Sequence, residues 1–452
     1  MKHRALSAFK AYDIRGHVPS ILNEEFARQL GYAFAQEFLP RCVVIGHDAR
    51  LSGPGLYHAL AEGLQAGGVD VTGIGMCGTE EIYFAAFSQG FDGGIMVTGS
   101  HNPADENGFK LVRGGAVPIS GDSGLFRLRE CIMAGQALPQ ERRGRFRETS
   151  FRDEYVRFLL RFIGDGPLRP LRIVADCGNG CAGLVMRELA PHLPFDIMLL
   201  NDEPDGNFPH GVPNPLLPEN REAASRAVLE RKADFGIAWD GDFDRCFFYD
   251  AEGRFIEGYY LVGMIAEAML ARCPGAKIIH DPRLVWNTQD VVHAAGGQAL
   301  ESKTGHAFLK ERMRAEDALY GGEMSAHHYF REFLYCDSGM IPWLLVARLL
   351  SDSGRTLASC VEERMEAFPC SGEINSRVDD MPAVLARMEK RYAAQPGAEL
   401  SRVDGLSVTF PEWRFNVRAS NTEPILRLNV ESRGDADLMQ EKTQELLQEI
   451  RG

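Results

Sequence analysis

The stretch Thr98-Gly99-Ser100-His101-Asn102-Pro103 follows a short apolar run, Gly94-Ile95-Met96-Val97, which is typical of a buried strand. Gly and Asn tolerate positive φ and Pro ends strand pairing, so we expect the strand to run into a tight, exposed loop. That loop would present the hydroxyl of Ser100, with His101 beside it and Lys110 ten residues further on. A serine presented in this way is a candidate covalent nucleophile. A lone Ser-His pair, however, is more often part of an ordinary turn.

Three carboxylates at alternate positions form a second candidate site: Asp240, Asp242 and Asp244. They lie between two apolar runs, 236–239 and 246–249, which predict strands. Carboxylates at this spacing repel one another unless a cation lies between them, and oxygen-only ligands suit Mg²⁺ or Ca²⁺. The spacing is not that of an EF-hand, because Arg245 and Ala251 stand where that loop has Gly and Glu. The alternative is a solvated acidic turn, which the apolar flanking runs disfavour.

Two further loops carry groups suited to phosphate or sugar. Between the predicted strands 413–417 and 425–430, one guanidinium, two hydroxyls and an amide would form a compact cluster of phosphate donors: Arg418, Ser420, Asn421 and Thr422. The segment 322–328 follows another strand-like run, and its carboxylate, hydroxyl and imidazole would suit sugar hydroxyls: Glu323, Ser325 and His327. Each segment taken alone also fits an ordinary polar hairpin or surface loop.

Composition and charge limit the class of protein. At 452 residues the chain should hold several domains, and its net charge of −14 argues against nucleic acid or an anionic membrane as a partner. No apolar run reaches the roughly 20 residues of a membrane span, and no long apolar segment follows the first residues, so we expect no signal peptide. The ten cysteines include no Cys-x-x-Cys pair, which favours reduced thiols in a cytoplasmic protein.

The order of predicted elements indicates several α/β units followed by a different one. A strand, a Gly-containing loop and a helix are predicted at five places: 42–50, 94–102, 171–183, 234–245 and 277–283. Strands that alternate with helices are typical of layered α/β domains. Near the end, 405–432 predicts three consecutive strands and 435–450 predicts an amphipathic helix, so the last unit is expected to be α+β.

Together, these four loops resemble those of the α-D-phosphohexomutase family, the phosphomannomutase and phosphoglucomutase enzymes, in the same order and at matching intervals. Three other segments match as well: Phe9-Lys10-Ala11-Tyr12-Asp13-Ile14-Arg15-Gly16, Gly46-His47-Asp48-Ala49-Arg50-Leu51-Ser52 and Lys303-Thr304-Gly305-His306. The resemblance therefore covers essentially the whole chain. Segments 205–209 and 279–283 make the chain most similar to bacterial phosphomannomutases that supply GDP-mannose for surface polysaccharides.

The resemblance implies an α/β fold of four domains around a central cleft, with three related mixed α/β domains and a C-terminal α+β domain. Each domain would contribute one loop, and the expected bounds are 1–148, 149–250, 251–362 and 363–452. The same resemblance implies hexose phosphates as substrates, Mg²⁺ as cofactor and glucose or mannose 1,6-bisphosphate as activator. It implies a cytoplasmic monomer or homodimer with no nucleic-acid or membrane partner.

The resemblance also assigns roles in phosphoryl transfer. Ser100 would be a phosphoserine that donates its phosphoryl group to mannose 1-phosphate, and the resulting 1,6-bisphosphate would return its other phosphate to Ser100. The aspartate triplet would hold one Mg²⁺, with the Ser100 phosphate as a further ligand. Arg15, Lys110 and Arg245 would neutralise developing charge. Lys110 and His306 are implied near the step that needs a base, and His101 would shape the loop or contact phosphoryl oxygens.

The remaining roles that the resemblance implies concern binding. Glu323 and Ser325 would bind ring hydroxyls, with His327 as a neighbour, and Ala326 stands where many relatives have Gly. The phosphate that is not transferred would be held by Arg418, Ser420, Asn421 and Thr422. Tyr12 and Arg283 would lie at the edge of the cleft.

Several alternatives stay open or are disfavoured by the residues. Mannose and glucose are not distinguished, because Glu323 and Ser325 would recognise hydroxyls common to both, so a phosphoglucomutase or a dual-specificity enzyme is possible. A dehalogenase-like enzyme with Asp240 as nucleophile is disfavoured, since Asp244 stands where its pattern has Thr or Val. A non-catalytic sugar-phosphate sensor would have lost the nucleophile or a metal ligand. A glucosamine phosphate enzyme would usually carry a different sugar loop.

Overall fold

The computed structural model describes residues 7–135, 144–419 and 425–452, and the chain divides into two compact units. The first unit comprises Met1–Phe255 and Glu332–Ser353, and the second comprises Ile256–Arg331 and Gly354–Gly452. Over the described ranges, every helix is too short or too polar to cross a membrane. Each unit is built on two sheets.

Seven strands form the first sheet of the first unit: β1 (Ile14–His17), β2 (Cys42–His47), β3 (Asp70–Met76), β4 (Gly93–Val97), β5 (Glu106–Arg113), β6 (Val117–Pro118) and β7 (Phe146–Glu148). Their order is β1-β5-β4-β2-β3-β7, with β6 beside β5. β4 is buried at every residue, as expected for an inner strand covered on both faces. Because β2 and β4 are parallel, their carboxyl ends lie at one edge of the sheet, which places residues 48–50 beside 98–100.

Four helices accompany this sheet: α1 (Glu24–Phe38), α2 (Gly53–Ala66), α3 (Thr79–Ser88) and α4 (Phe126–Ala134). The side chain of Asn23 caps α1 by accepting a bond from the amide of Phe26 at 3.0 Å. α1 and α2 approach closely at Gly63, which has no side chain. A Cβ there would lie 2.0 Å from the carbonyl oxygen of Arg28. The apolar face of α1 then joins the main core of the unit through residues such as Leu30 and Phe34.

The second sheet of this unit places β11 (Cys246–Tyr249), β10 (Phe235–Trp239), β8 (Arg172–Asp176) and β9 (Asp196–Leu200) side by side in that order. β8 is parallel to β9 and β10, whereas β10 and β11 form an antiparallel pair. Its helices are α5 (Arg152–Ile163), α6 (Ala182–Leu189) and α7 (Glu222–Arg231). The pair β10–β11 therefore presents the turn 240–245 at its tip.

A late segment of the chain also belongs to the first unit, namely residues 332–353, which contain α11 (Met340–Ser353). The carboxylate of Glu80, in α3, is fully buried at the start of α11 and accepts the amides of Gly339 and Met340 at 3.2 Å each. It also accepts the hydroxyl of Ser338. Glu80 thus satisfies donors that the first turn of a helix leaves unpaired.

The second unit contains a third sheet with the order β14 (Gln298–Glu301), β13 (Lys277–His280), β15 (Tyr320–Gly322) and β16 (His328–Phe330). β13 is parallel to β14 and β15, and β15 is antiparallel to β16. The helices of this region are α8 (Gly258–Arg272), α9 (Trp286–Ala294), α10 (His306–Glu316) and α12 (Leu357–Ala367). Two-residue strands occur at β12 (Phe255–Ile256) and β17 (Cys336–Asp337). Single helical turns occupy Gly114–Ala116, Gly121–Leu125, Ala190–His192, Pro218–Asn220 and Arg331–Phe333.

The fourth sheet is antiparallel throughout, with the order β18 (Ile374–Arg377), β22 (Ile425–Ser432), β21 (Trp413–Ala419), β20 (Leu406–Thr409) and β19 (Glu399–Ser401). The helices α13 (Met381–Ala393) and α14 (Ala436–Arg451) bury apolar side chains in its core. Three mixed α/β sheets and one antiparallel α+β sheet confirm the expected fold class, including the three strands predicted near the C-terminus.

The predicted pattern of strand, loop and helix is wrong at 94–102, and at 234–245 it gives way to the strand predicted at 246–249, which is confirmed. In both places the next element is an antiparallel strand, β5 or β11, rather than a helix. The physical reason is connection length, since a helical crossover needs a dozen or more residues and these connections are shorter. Both candidate loops of the first unit are therefore the tips of hairpins.

Candidate active site

The loop after β4 holds Ser100 in a buried and strained position. Ser100 is 2% exposed and has a φ of +48°, so the predictions of an exposed hydroxyl and of positive φ at Gly or Asn are wrong. The amide of Ser100 donates to the Thr98 hydroxyl oxygen at 2.8 Å, and its own hydroxyl donates to Oδ2 of Asp240 at 2.8 Å. The hydrogen bonds with Thr98 and Asp240 thus stabilise a conformation that costs a non-glycine residue about 1–2 kcal/mol.

The three aspartates between β10 and β11 form a buried cluster and not a solvated turn. Their exposed fractions are 0%, 0% and 2%, and one carboxylate oxygen from each lies within 4.8 Å of the others: Asp240, Asp242 and Asp244. Oδ1 of Asp240 and Oδ1 of Asp242 are buried and accept no hydrogen bond from the described residues. Buried, clustered carboxylate oxygens of this kind fit a hard divalent cation.

Lys110 neutralises part of this acidic cluster. Its Nζ lies 2.7 Å from Oδ2 of Asp242 and 2.5 Å from Oδ2 of Asp244. Burial alone would lower the pKa of Lys110, but the charges of those two carboxylates outweigh it and raise the pKa. Burial, together with the charges of Asp244 and Asp242, raises the pKa of Asp240 to about 7. Lys110 is therefore a fixed cation beside the cluster.

Three more predicted residues surround the Ser100 hydroxyl. Nδ1 of His101 lies 3.2 Å from Oγ of Ser100 and accepts a bond from Arg245 at 3.0 Å. Nε of Arg245 is 3.7 Å from Oδ2 of Asp240. Burial, then the charges of Arg245 and Arg15, hold the pKa of His101 well below its usual value, so the imidazole is neutral. Arg15 donates to the Thr98 carbonyl and holds the loop from its other side.

Glu323 is the centre of the predicted sugar loop in the second unit. It is 1% exposed, and its two oxygens accept the amide of Gly305 at 2.9 Å and the hydroxyl of Tyr329 at 2.6 Å. Burial would raise the pKa of Glu323, but the hydrogen bond and charge of His327, the charge of Arg283 and the bond from Tyr329 lower it to about 2. Glu323 is therefore ionised and fixed in orientation.

The backbone beside Glu323 explains one departure from the family pattern. Ala326, where the resemblance implies Gly in many relatives, has a φ of +70° and is 2% exposed. The left-handed conformation that glycine adopts easily is thus kept with an alanine. Ser325 and His327 flank it, and Oγ of Ser325 accepts a bond from Arg283 at 3.3 Å.

Three guanidinium groups in the second unit converge on one carboxylate, Glu373. Its oxygens lie 3.2 Å from Arg283, 3.4 Å from Arg418 and 3.1 Å from Arg427. Arg283 is buried, with only 2% of its surface exposed. Burial would raise the pKa of Glu373, but the three arginines lower it. The sequence analysis missed Glu373, because a single Glu in a polar segment carries no local signal.

The remaining predicted residues are less informative. Tyr12 is half-buried in the first unit, and His306 is the first residue of α10 in the second unit. Ser420, Asn421 and Thr422 lie outside the described residues. Arg418, at the end of β21, is 7% exposed and remains the described member of that loop.

Comparison with known proteins gives a consistent result along the chain. Sequence models described as phosphoglucomutase/phosphomannomutase alpha/beta/alpha domains I, II and III match residues 6–133, 153–253 and 257–368, and a model of the C-terminal domain matches 373–448. The chain is 57% identical over 447 residues to a protein of Xanthomonas campestris pv. campestris named "Phosphohexose mutases", covering 99% of this chain and 100% of that protein. It is 55% identical over 451 residues to a phosphomannomutase of Escherichia coli, covering 98% and 99%. A solved phosphoglucomutase/phosphomannomutase family protein from Burkholderia thailandensis superposes with a TM-score of 0.86 at 34% identity, covering 98% and 97% of the two chains.

Proposed function

The chain belongs to the phosphoglucomutase/phosphomannomutase family of phosphohexomutases, and from this premise we propose that it interconverts mannose 1-phosphate and mannose 6-phosphate. The preference for mannose is supported by the phosphomannomutase name of relatives at 55–56% identity. The observation that carries the catalytic part is the 2.8 Å bond between the Ser100 hydroxyl and Asp240 in a buried acidic cluster. GDP-mannose supply for surface polysaccharide is the proposed pathway role.

In the proposed reaction, a hydroxyl of the hexose phosphate attacks the phosphorus of phosphoserine 100. The new bond joins phosphorus to the sugar oxygen, the bond from phosphorus to Oγ breaks, and the hydroxyl proton passes to a base. The product is a 1,6-bisphosphate, and the reverse steps at its other end return a phosphoryl group to Ser100. Glucose or mannose 1,6-bisphosphate would load Ser100 in the same way, which makes either an activator.

The residues around Ser100 are suited to the charge that this transfer develops. Lys110 and Arg245 place positive charge beside Asp242 and Asp240, and neutral His101 offers a ring nitrogen at 3.2 Å from Oγ of Ser100. Mg²⁺, held by the three aspartates, would add positive charge at the phosphoryl oxygens. Burial of the whole cluster strengthens these interactions and keeps bulk water from competing for the phosphoryl group.

The second unit would supply binding. Glu323 is ionised and fixed, which suits it to accept hydrogen bonds from ring hydroxyls, with Ser325 beside it. Arg418 and Arg283 would offer positive charge to the phosphate that is not being transferred. Glu323 and Ser325 would recognise hydroxyls common to mannose and glucose, so the second candidate is a phosphoglucomutase or a dual-specificity enzyme.

Ser100→Ala tests this proposal directly. We expect it to abolish mutase turnover and acid-stable labelling from ³²P-hexose bisphosphate while leaving the unfolding temperature unchanged. The matched control is Ser88→Ala, at an exposed serine of α3, which should label like the wild type. Label that hydroxylamine releases would instead indicate an aspartyl phosphate. The ratio of kcat/KM for mannose 1-phosphate to that for glucose 1-phosphate decides the sugar preference.

A further inference from the structure

Arg50 is a buried arginine whose guanidinium donates hydrogen bonds to backbone oxygens of the segment 98–106, called here the serine loop. The residue is 1% exposed, although it carries a full charge. One terminal nitrogen donates to the carbonyls of Pro103 at 2.5 Å and Glu106 at 2.8 Å. The other donates to the carbonyls of Ser100 at 2.9 Å and Asn102 at 2.6 Å. Four carbonyls of one loop are thus bonded to a single planar group.

Asp48 accepts hydrogen bonds from the donor groups of the same loop. Its Oδ2 accepts the Thr98 hydroxyl at 2.7 Å and the Gly99 amide at 3.0 Å. Its Oδ1 accepts the amide of Arg50 at 3.0 Å, and Nε of Arg50 lies 3.3 Å from Oδ2. The two side chains therefore act as one unit that binds both donors and acceptors of the loop around Ser100.

The approach of Arg50 to the loop depends on a glycine. A Cβ placed on Gly99 would lie 2.2 Å from Nε and 2.3 Å from Cζ of Arg50. Gly99 does not have positive φ, so its lack of a side chain is required by this contact and not by its backbone conformation.

The second unit repeats the arrangement with the same residue types. Segment His280-Asp281-Pro282-Arg283 follows β13 as His47-Asp48-Ala49-Arg50 follows β2, and Nδ1 of each His donates to the carbonyl of its Asp at 2.8 Å. Oδ1 of Asp281 accepts the amide of Arg283 at 2.9 Å, and Oδ2 accepts the amide of Met324 in the neighbouring Gly-Glu-Met-Ser loop at 2.8 Å. In both units the Asp holds the functional loop of the adjacent parallel strand.

The two copies differ in what the arginine contacts. Arg283 is directed to the side chains of Ser325 and Glu373, whereas Arg50 is bonded to backbone carbonyls of the serine loop. The guanidinium of Arg50 is therefore bonded to backbone carbonyls and to the carboxylate of Asp48, and it shapes the serine loop.

We propose that Arg50, together with Asp48, is a positioning residue for phosphoryl transfer, which fixes the backbone of Ser100 so that its Oγ stays against Asp240. The inference rests on the proposed role of Ser100 as the phosphate carrier. A misplacement of the reacting oxygen by about 1 Å can lower the rate on the order of a hundredfold. Because Arg50 is bonded to the loop and not to the sugar phosphate, its loss should lower kcat and leave KM in place.

The test uses the full-length enzyme with three single variants and one double variant at two positions. Arg50→Lys keeps the charge but not the planar fork that reaches four carbonyls, and we expect kcat to fall by about a hundredfold with KM within about twofold. Gly99→Ala should lower kcat to a similar extent in the wild-type background. In Arg50→Ala, where the clash is removed, adding Gly99→Ala should change kcat by less than about threefold, so the two effects are strongly non-additive.

The matched control is Arg152→Lys, another largely buried arginine of the first unit that pairs with Glu81 and does not contact the serine loop. It should keep kcat within about twofold of the wild type, and unfolding temperatures of all variants are measured alongside. If Arg50→Ala does not fold, Arg50→Lys and Gly99→Ala still decide the question.

Two results separate the inference from the function it rests on. If wild-type Ser100 takes no label from ³²P-hexose bisphosphate, the proposed function fails. If the wild type is labelled and Arg50→Lys has an unchanged kcat, or loses activity only through a raised KM, Arg50 is not a positioning residue. Additive effects of Arg50→Ala and Gly99→Ala would contradict the inference in the same way.

Discussion

The hydroxyl of Ser100 lies in a charged environment that its own segment does not supply. Asp240, in a hairpin 140 residues away in sequence, accepts a hydrogen bond from this hydroxyl, and Lys110 balances the charge of the adjacent carboxylates. A serine hydroxyl is a weak nucleophile on its own, so the proposed reactivity of Ser100 would depend on these neighbours. Substitutions of the neighbours should therefore change the chemistry of Ser100 while the serine itself is retained.

Asp242 gives one such prediction. Asp242→Asn removes a charge from the centre of the cluster, so we expect weaker Mg²⁺ activation and a fall in kcat on the order of a hundredfold, since metal ligation supplies several kcal/mol. The measurement is the Mg²⁺ dependence of steady-state turnover. Thr79→Val is the control, because it removes only the hydroxyl that donates to Asp242 and leaves all three carboxylates. An unchanged Mg²⁺ dependence in Asp242→Asn would show that this residue is no ligand.

Glu323 gives a prediction on pH. Its pKa of about 2 lies below the ordinary value of 4.5, so its ionised form stabilises the fold. This contribution is complete above pH 4.5 and is lost as the pH falls towards 2. We expect Glu323→Gln to be less stable than the wild type at pH 7, with a difference that narrows between pH 5 and pH 3. Urea unfolding at several pH values measures this. The control is Glu399→Gln, at an exposed residue, and a gap independent of pH would contradict the prediction.

Among the secondary-structure elements, the start of α11 depends on a side chain from another element. Glu80, in α3, accepts two amides and a hydroxyl there. Its removal would leave buried donors unpaired, and each such donor costs about 1–3 kcal/mol. The segment 332–353 is held in the first unit partly by this cap.

We therefore predict that Glu80→Ala exposes residues 332–353 to thermolysin and lowers the unfolding temperature. Ser338→Ala is the comparison: it removes the hydroxyl bond to Glu80 and the oxygen that accepts the amides of Met340 and Ile341 at 3.1 and 3.0 Å, but it leaves the two amide bonds to Glu80 in place, so its loss should be smaller than that of Glu80→Ala. Limited proteolysis with mass spectrometry locates the cut, and urea unfolding gives the free energy. Equal effects of the two substitutions would show that the amide bonds contribute little.

The hairpins and sheets show where reasoning from sequence succeeds. Apolar runs located β4, β10, β21 and β22, because burial imposes a local pattern. The order of functional loops also predicted the fold class. The prediction of a helix after β4 was wrong, because the sequence of an apolar segment does not show which strand will pair with it. The burial and φ of Ser100 could not be predicted, since the groups responsible are Asp48, Arg50 and Asp240.

At the level of the complete chain, the two units divide the proposed work. The first carries Ser100, the acidic cluster and its cations, and the second carries Glu323, Arg418 and Glu373. In the proposed reaction, groups of the first unit would act on the bond that breaks, whereas groups of the second would bind parts of the ligand that change little. Loss of uniform binding raises KM more than it lowers kcat.

Arg418→Ala tests this division. A charge-assisted hydrogen bond contributes roughly 1.5–3 kcal/mol, so we expect KM to rise by about tenfold or more with a small change in kcat. Turnover should also depend more strongly on added glucose 1,6-bisphosphate, because the intermediate escapes more often. The control is Arg427→Ala, which removes another partner of Glu373. A fall in kcat with KM unchanged would assign Arg418 to the chemical step.

The bonds that Arg50 and Asp48 make to the serine loop have a mechanical consequence. Four carbonyls and one amide around Ser100 are hydrogen-bonded to Arg50 and Asp48, so the backbone of Ser100 is fixed. Only its side chain can rotate. In the proposed reaction one serine would serve both ends of the sugar without moving to them. The bisphosphate would then have to turn end over end at a stationary Ser100, and the protein would have to loosen its hold on the bisphosphate just long enough for that turn.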